Sequence, residues 1–139
     1  MSTPDSAYEI STDRSRLDRA LIHRFLCEES YWARGRDRET IERSIEESAL
    51  CFGVYRDGRQ VGYARVVTDR CTFGWLADVF VVREERGRGV GKRLIEAVLE
   101  HPDLKEVPRW LLGTADAHSL YERYGFRSAD QRFMVRERA

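Results

Sequence analysis

Arg86, Arg88, Lys92 and Arg93 are interleaved with Gly87, Gly89 and Gly91. This combination suits anion chemistry. Glycine removes the side chain that would hold a phosphate away from the backbone, and the guanidinium and ammonium groups bring formal positive charge to the same place. Two elements must position the loop. Ahead of it, Val79 to Val82 is an unbroken apolar run, the pattern of a strand covered on both faces. Beyond it, Val90, Leu94, Ala97, Val98 and His101 fall on one stripe of a helix. The first N–H groups of such a helix have no internal partner and its dipole is positive at that end, so a strand-loop-helix junction of this composition invites a pyrophosphate.

Spacing excludes two common pyrophosphate loops. The nucleotide P-loop places four residues between its first glycine and Gly-Lys and follows them with Ser or Thr; here Gly87 and Gly91 enclose three, and Arg93 follows Lys92. The dinucleotide fingerprint is Gly-x-Gly-x-x-Gly, whereas this loop is Gly-x-Gly-x-Gly. The remaining pattern, Arg-x-x-Gly-x-Gly over Arg86 to Gly91, resembles the acetyl-CoA pyrophosphate loop of the GNAT superfamily of N-acetyltransferases. A second segment, Ala117-His-Ser-Leu-Tyr-Glu-Arg-Tyr-Gly-Phe126, is similar to that family's Ala-x-x-Leu-Tyr-x-x-x-Gly-Phe, which opens its last helix. The two matches span Asp78 to Phe126. The N-terminal half matches only in its order of elements.

The resemblance implies roles for named residues. The backbone of Val79, Phe80 and Val81 is expected to pair with pantetheine as though it were another strand, because the family's fourth and fifth strands splay apart. Arg86, Gly87, Arg88, Gly89, Val90, Gly91 and Lys92 are expected to hold the pyrophosphate. Tyr121 matches the tyrosine that protonates the departing thiolate, with Tyr124 as its alternative. Where the family often has a cofactor-contacting Asn, seven residues before the tyrosine, this chain has Thr114. At the positions where some members carry a glutamate base, this chain has Trp75 and Ala77.

That substitution turns attention to Asp78, the one carboxylate on this strand. Alternation puts it on a face with Leu76 and Phe80, hence buried, as a base, a substrate anchor or a structural group. The loop between the first two helices forms a wall of the acceptor site in this fold, so Tyr31, Trp32 and Trp75 are expected to line it, or simply to pack there. Aromatic faces suit a cationic amine or an apolar acceptor. Arg83, Glu84 and Glu85 read as solvated, and His118 as a surface or capping group.

The rest of the chain reads as supporting elements. Tyr8 to Ser11 is a short strand. A helix runs from about Arg16 to Glu28, and a second one is capped by Asp37 with Ile41, Ile45 and Ala49 inward. Strands follow over Leu50–Tyr55, Val61–Thr68 and Thr72–Val82, the first two joined by a turn at Asp57-Gly58. After the glycine loop and its helix come a short strand at Arg109–Leu112, a helix at Ala117–Tyr124 and a final strand at Gln131–Arg136. The expected fold is a single α+β domain over residues 1–139, a mixed, mostly antiparallel sheet with helices on both faces.

Composition sets the outer bounds. Lys plus Arg and Asp plus Glu are 24 each, so nothing pulls the chain toward nucleic acid or an anionic membrane. No apolar run approaches a transmembrane span, and the polar N-terminus lacks a signal-peptide core. Cys27, Cys51 and Cys71 are widely spaced, which argues against a disulfide framework or a metal site and for a reducing, cytoplasmic setting. None lies in either motif. The expected activity is direct transfer of acetyl from acetyl-CoA, as co-substrate and without a metal, to the primary amine of a small molecule, by a monomer or homodimer. The alternatives are a non-catalytic acyl-CoA sensor and an enzyme acting on protein N-termini or lysines.

Overall fold

The structure, a computed structural model, describes residues 7–129 and 131–138; the polar N-terminal stretch 1–6 lies outside them. Five strands form one sheet in the order β1-β2-β3-β4-β5: β1 Tyr8–Ser11, β2 Leu50–Arg56, β3 Arg59–Thr68, β4 Gly74–Val81 and β5 Trp110–Leu111. Neighbours are antiparallel except β4 and β5, which run parallel. Asp57 and Gly58 both take positive φ between β2 and β3, the conformation a two-residue hairpin needs.

Helices cover both faces. On one, α3 (Val90–Glu100) buries Val90, Leu94, Ile95 and Val98 against Phe52, Ala64, Val66 and Leu76. Each such side chain contributes about 1.5–3 kcal/mol on leaving water. On the other, α1 (Arg19–Arg24) and α2 (Arg38–Glu47) pack Leu21, Ile22, Ile41 and Ile45 against Cys51, Tyr63 and Phe80. Asp18 caps α1 by accepting from the Leu21 N–H at 3.0 Å, and Asp37 caps α2 by accepting from Thr40 at 2.7 Å. A short α4 (His118–Glu122) rests beside the start of α3. Among the described residues no helix is long and apolar enough to cross a membrane.

Three expectations change. The first helix is not continuous. Arg14–Arg16 is a separate 3-10 turn, Leu17 is extended, and α1 begins after Asp18 and ends in a π-helical turn over Phe25–Glu29. Asp18 competes for the backbone in mid-pattern and starts the helix afresh. Residues 131–136 are not a strand; Met134 and Val135 are almost fully exposed. The two-residue β5 offers too short a ladder to template another strand there.

The third change concerns Asp78. The β3–β4 register runs Tyr63↔Phe80 and then Arg65↔Ala77, so β4 carries one residue more than β3 across that interval. Asp78 sits at this bulge with φ of 52°. The extra residue reverses the alternation: Leu76 faces the α3 core and Phe80 the α1–α2 core. Asp78 therefore does not share one face with both. It is buried nonetheless, on the α1–α2 side.

Candidate active site

The glycine loop is open to receive an anion. Gly87 and Gly89 both have φ of 79°, and a Cβ on either would meet nothing within 4 Å. Gly89 is the N-cap of α3 and provides no side-chain cap. Among the described residues no hydrogen bond is donated by the N–H groups of Val90, Gly91 or Lys92, so the first turn of an 11-residue helix presents unspent donors. Lys92 is exposed beside them. Arg86 instead folds back, its Nε donating to the Val81 carbonyl at 3.0 Å, and Arg88 leans toward Glu85 at 3.8 Å.

Glu85, expected in solvent, is buried. It accepts from the Tyr8 hydroxyl at 2.6 Å and from Arg56 at 3.1 Å. The Tyr8 hydrogen bond, then Arg56, holds its carboxyl below the usual range. Glu85 thus ties the start of the loop to β1 and β2. A glutamate next to a glycine loop reads as surface in sequence, and its partners are 29 and 77 residues away.

β4 pairs with β5 only at Gly74↔Trp110 and Trp75↔Leu111. β4 continues to Val81 while β5 stops at Leu111, so beyond Trp75 the two strands lose their ladder. The backbone of Val79, Phe80 and Val81 borders that gap. Their side chains belong to the cores, Phe80 stacking on Phe25 with ring centroids 4.0 Å apart. These features fit an extended, amide-bearing ligand ending in a pyrophosphate: strand backbone left without a ladder where β4 and β5 part, with the Val81 carbonyl taken by Arg86, then free N–H groups at a helix start.

A cleft of about 470 Å³ opens at the parting, walled by β4 from Trp75 to Val79, by the segment 112–117 and by Tyr121. Tyr31, Trp32 and Trp75 all line it and are between 39% and 51% exposed, so they form its surface and not its packing. A larger cavity of about 750 Å³ lies between β5, α4 and residues 125–129 and 132–133; it shares Leu112 to Thr114 and Tyr121 with the cleft but does not reach Asp78, and the glycine loop lines neither.

Asp78 forms the centre of the cleft's polar wall. Its Oδ1 accepts from Trp32 Nε1 at 2.9 Å, its Oδ2 from Arg65 Nε at 2.9 Å, and Arg36 Nη1 spans both oxygens at 3.2 and 3.0 Å. Left-handed backbone on a non-glycine residue costs about 1–3 kcal/mol, and it persists where surrounding contacts impose it; here three side chains do so. Sequence reading missed Arg36 and Arg65. An arginine inside the apolar run Val61–Val67 was a usable signal for Arg65, since a buried strand does not carry a charge without a partner. Arg36, in a loop, gave none.

Tyr121 is buried on the cleft wall, edge-on to Phe126 at 5.7 Å. Burial first, then the nearby Tyr31 phenol and Asp116 carboxylate, pushes its hydroxyl up to about 12. The phenol therefore keeps its proton across the physiological range. Tyr124 points elsewhere: its hydroxyl donates to Glu96 at 2.7 Å on α3. Thr114 lines the cleft, but its Oγ1 already accepts from Ala117 N–H at 3.0 Å, just ahead of α4. His118 is exposed and borders only the larger of the two cavities. No cysteine borders the cleft.

Comparison with known proteins bears on the family and the fold. The family model described as Acetyltransferase (GNAT) family matches residues 15–126. A solved structure from Xanthomonas campestris pv. campestris, of a protein placed in the GNAT family, is 48% identical; the match covers 94% of this chain and 92% of that one with a TM-score of 0.89. A curated Gibberella zeae protein with an acetyltransferase name is 29% identical over 82% of this chain and 75% of its own. A Clostridium acetobutylicum protein whose structure was solved with acetyl-CoA shares the fold, with a TM-score of 0.72 at 12% identity over 93% of this chain and 94% of that one.

Proposed function

The chain belongs to the GNAT acetyltransferase family and is an enzyme of the N-acetyltransferase class, and on that footing we propose that it transfers acetyl from acetyl-CoA directly to the primary amine of a small molecule. The observation that carries the reading is the succession of two features along one strand, loop and helix: backbone left without a ladder where β4 and β5 part, then unspent N–H groups at Val90, Gly91 and Lys92. The Clostridium acetobutylicum relative, which holds acetyl-CoA on the same fold, supports it.

The N–H groups of Val90, Gly91 and Lys92, with the Lys92 ammonium, bind the pyrophosphate. The backbone of Val79 to Val81 pairs with pantetheine, and an N–H of the same segment stabilises the oxyanion. Acetyl-CoA supplies a thioester whose acyl carbon an amine can attack. As the amine nitrogen bonds to the acyl carbon and the carbon–sulfur bond breaks, Tyr121, protonated and desolvated, gives its proton to the departing thiolate, and the proton the amine loses restores the phenol. Asp78 acts as an anchor: its oxygens are occupied by Trp32, Arg36 and Arg65, so it sets the aromatic wall and does not collect the amine's proton. Tyr31, Trp32 and Trp75 shape the acceptor pocket. With no cysteine on the cleft, transfer proceeds in one ternary complex. The three free cysteines suit a reducing cytoplasm.

The test is calorimetric titration with acetyl-CoA and CoA of the wild type and of Gly89→Glu. The variant forces a side chain into left-handed backbone and puts negative charge at the helix start. Micromolar binding by the wild type, lost in a variant whose circular dichroism is unchanged, is the expected result. A wild type that does not bind either ligand overturns the reading.

A further inference from the structure

The Asp78 cluster contains two guanidinium groups and one carboxylate, which leaves one positive charge without a counterion in a partly desolvated wall. Arg36 uses only Nη1 on Asp78; among the described residues its Nε and Nη2 make no hydrogen bond. Arg65 uses Nε on Asp78 and Nη1 on Ser48 Oγ at 3.3 Å, leaving Nη2. Both arginines border the cleft, with side chains 26% and 15% exposed. The other carboxylate on the cleft, Asp116, stands on the opposing segment, close enough to the Tyr121 phenol to act on it electrostatically, and makes no ion pair among the described residues. The cleft thus has a cationic wall beside Trp32 and Trp75, and an anionic rim near the acid.

From this arrangement we infer that the acceptor carries an anionic oxygen group, a carboxylate or a phosphate, which seats on Arg36 and Arg65 while its amine lies toward Tyr121 and Asp116. This rests on the acetyltransferase reading and narrows its acceptor class. A planar guanidinium with unspent donors matches an oxyanion in two directions at once. The free charge, fixed in place by Asp78, needs no reorganisation to receive one. A purely cationic acceptor, such as a polyamine, would face an uncompensated guanidinium on binding.

The experiment separates the anion from the amine. The CoA-loaded protein is titrated calorimetrically with 3-phenylpropionate, 2-phenylethyl phosphate and the neutral 3-phenylpropionamide, which share an aromatic body. Thiol release from acetyl-CoA is then compared for phenylalanine against phenethylamine and for 2-aminoethyl phosphate against ethanolamine. At least one anionic probe should bind tenfold or more tighter than the amide, and its amino counterpart should show at least tenfold higher kcat/KM than the neutral partner. The anion that wins identifies the source. Arg36→Gln should remove the preference while acetyl-CoA affinity stays unchanged. Should that variant not fold, raising the salt concentration on the wild type should erode the preference instead. Equal binding of all three probes, binding of none, or tighter binding of the amide overturns the inference, provided acetyl-CoA itself binds. Failure of acetyl-CoA to bind overturns the transferase reading beneath it.

Discussion

The Tyr31 hydroxyl accepts a hydrogen bond from the Ala115 backbone N–H at 2.7 Å, joining residues 84 positions apart. Tyr31 follows the π-helical turn that ends α1, and Ala115 lies in the connection from β5 to α4. The contact bridges the two segments that flank the cleft. Tyr31 also stands edge-on to Trp32 at 5.1 Å, and Trp32 in turn donates to Asp78. One chain of contacts therefore runs from the β5–α4 connection through two aromatics to the bulge on β4.

Removing that hydroxyl should loosen the acceptor side without touching the cofactor side. Tyr31→Phe is expected to raise the acceptor KM roughly 3–10-fold, the cost of one hydrogen bond to a backbone donor. The acetyl-CoA dissociation constant should stay within about twofold. Steady-state kinetics with the acceptor varied, alongside calorimetry with CoA, separates the two effects. Equal losses on both sides would show that the bridge holds the whole cleft.

Tyr121→Phe is expected to lower kcat by roughly 100-fold or more, the usual contribution of a placed general acid. Tyr124→Phe, which loses a hydroxyl bound to Glu96, should change kcat little. The pH profile carries a second signature. The acid form of Tyr121 is required, and its value is raised to about 12, so deprotonation of this group should not reduce activity until pH rises well past 10. The neutral phenol also favours the folded state below the ordinary tyrosine value, and that contribution is lost as pH climbs through the raised one. A falling limb near neutrality that disappears in the Phe variant would reject this assignment.

Glu85 should make the glycine loop sensitive to acid. Its carboxyl is held below the ordinary 4.5 by the Tyr8 hydroxyl and Arg56. A depressed value contributes stability above 4.5, lost as pH falls through the folded-state value. Glu85→Gln is expected to cost about 1.5–3 kcal/mol at pH 7, as for hydrogen bonds to a charged group, and to flatten the decline of the thermal midpoint below pH 5. Acetyl-CoA binding should weaken with it, because the loop loses its tie to β1 and β2. Melting curves at pH 7 and pH 4 for both proteins decide this; parallel curves would show that Glu85 is not responsible.

Asp78→Asn keeps the side chain's shape and removes its charge. Arg36 and Arg65 would then face each other uncompensated, and breaking a buried ion pair from one side costs about 3 kcal/mol. The expected outcome is a fall of several degrees in melting temperature with acceptor affinity reduced, while the acid limb of the kcat profile keeps its position. An unchanged melting temperature with loss of that limb would instead make Asp78 the base.

The legible part of this protein is local. Arg-x-x-Gly-x-Gly needs only its own backbone to turn, to take the positive φ seen at Gly87 and Gly89, and to expose the first N–H groups of α3. The apolar stripe of α3 and the caps Asp18 and Asp37 follow the same short-range rules, although only Asp37 was legible as a cap in advance. Tyr121 and the aromatics Tyr31, Trp32 and Trp75 are named through the family resemblance, and the structure brings all four to the lining of one cleft. What stayed hidden depends on distance along the chain. A single inserted residue at Asp78 reverses the alternation of β4, and period-two reading cannot register an insertion that shows itself only against the partner strand. Arg36 and Trp32 reach Asp78 across 42 and 46 residues, and Glu85 reaches Tyr8 across 77. Such pairings exist only once helices and sheet have packed, because burial then makes an unpartnered charge costly and selects the arrangement in which each carboxylate finds its cation.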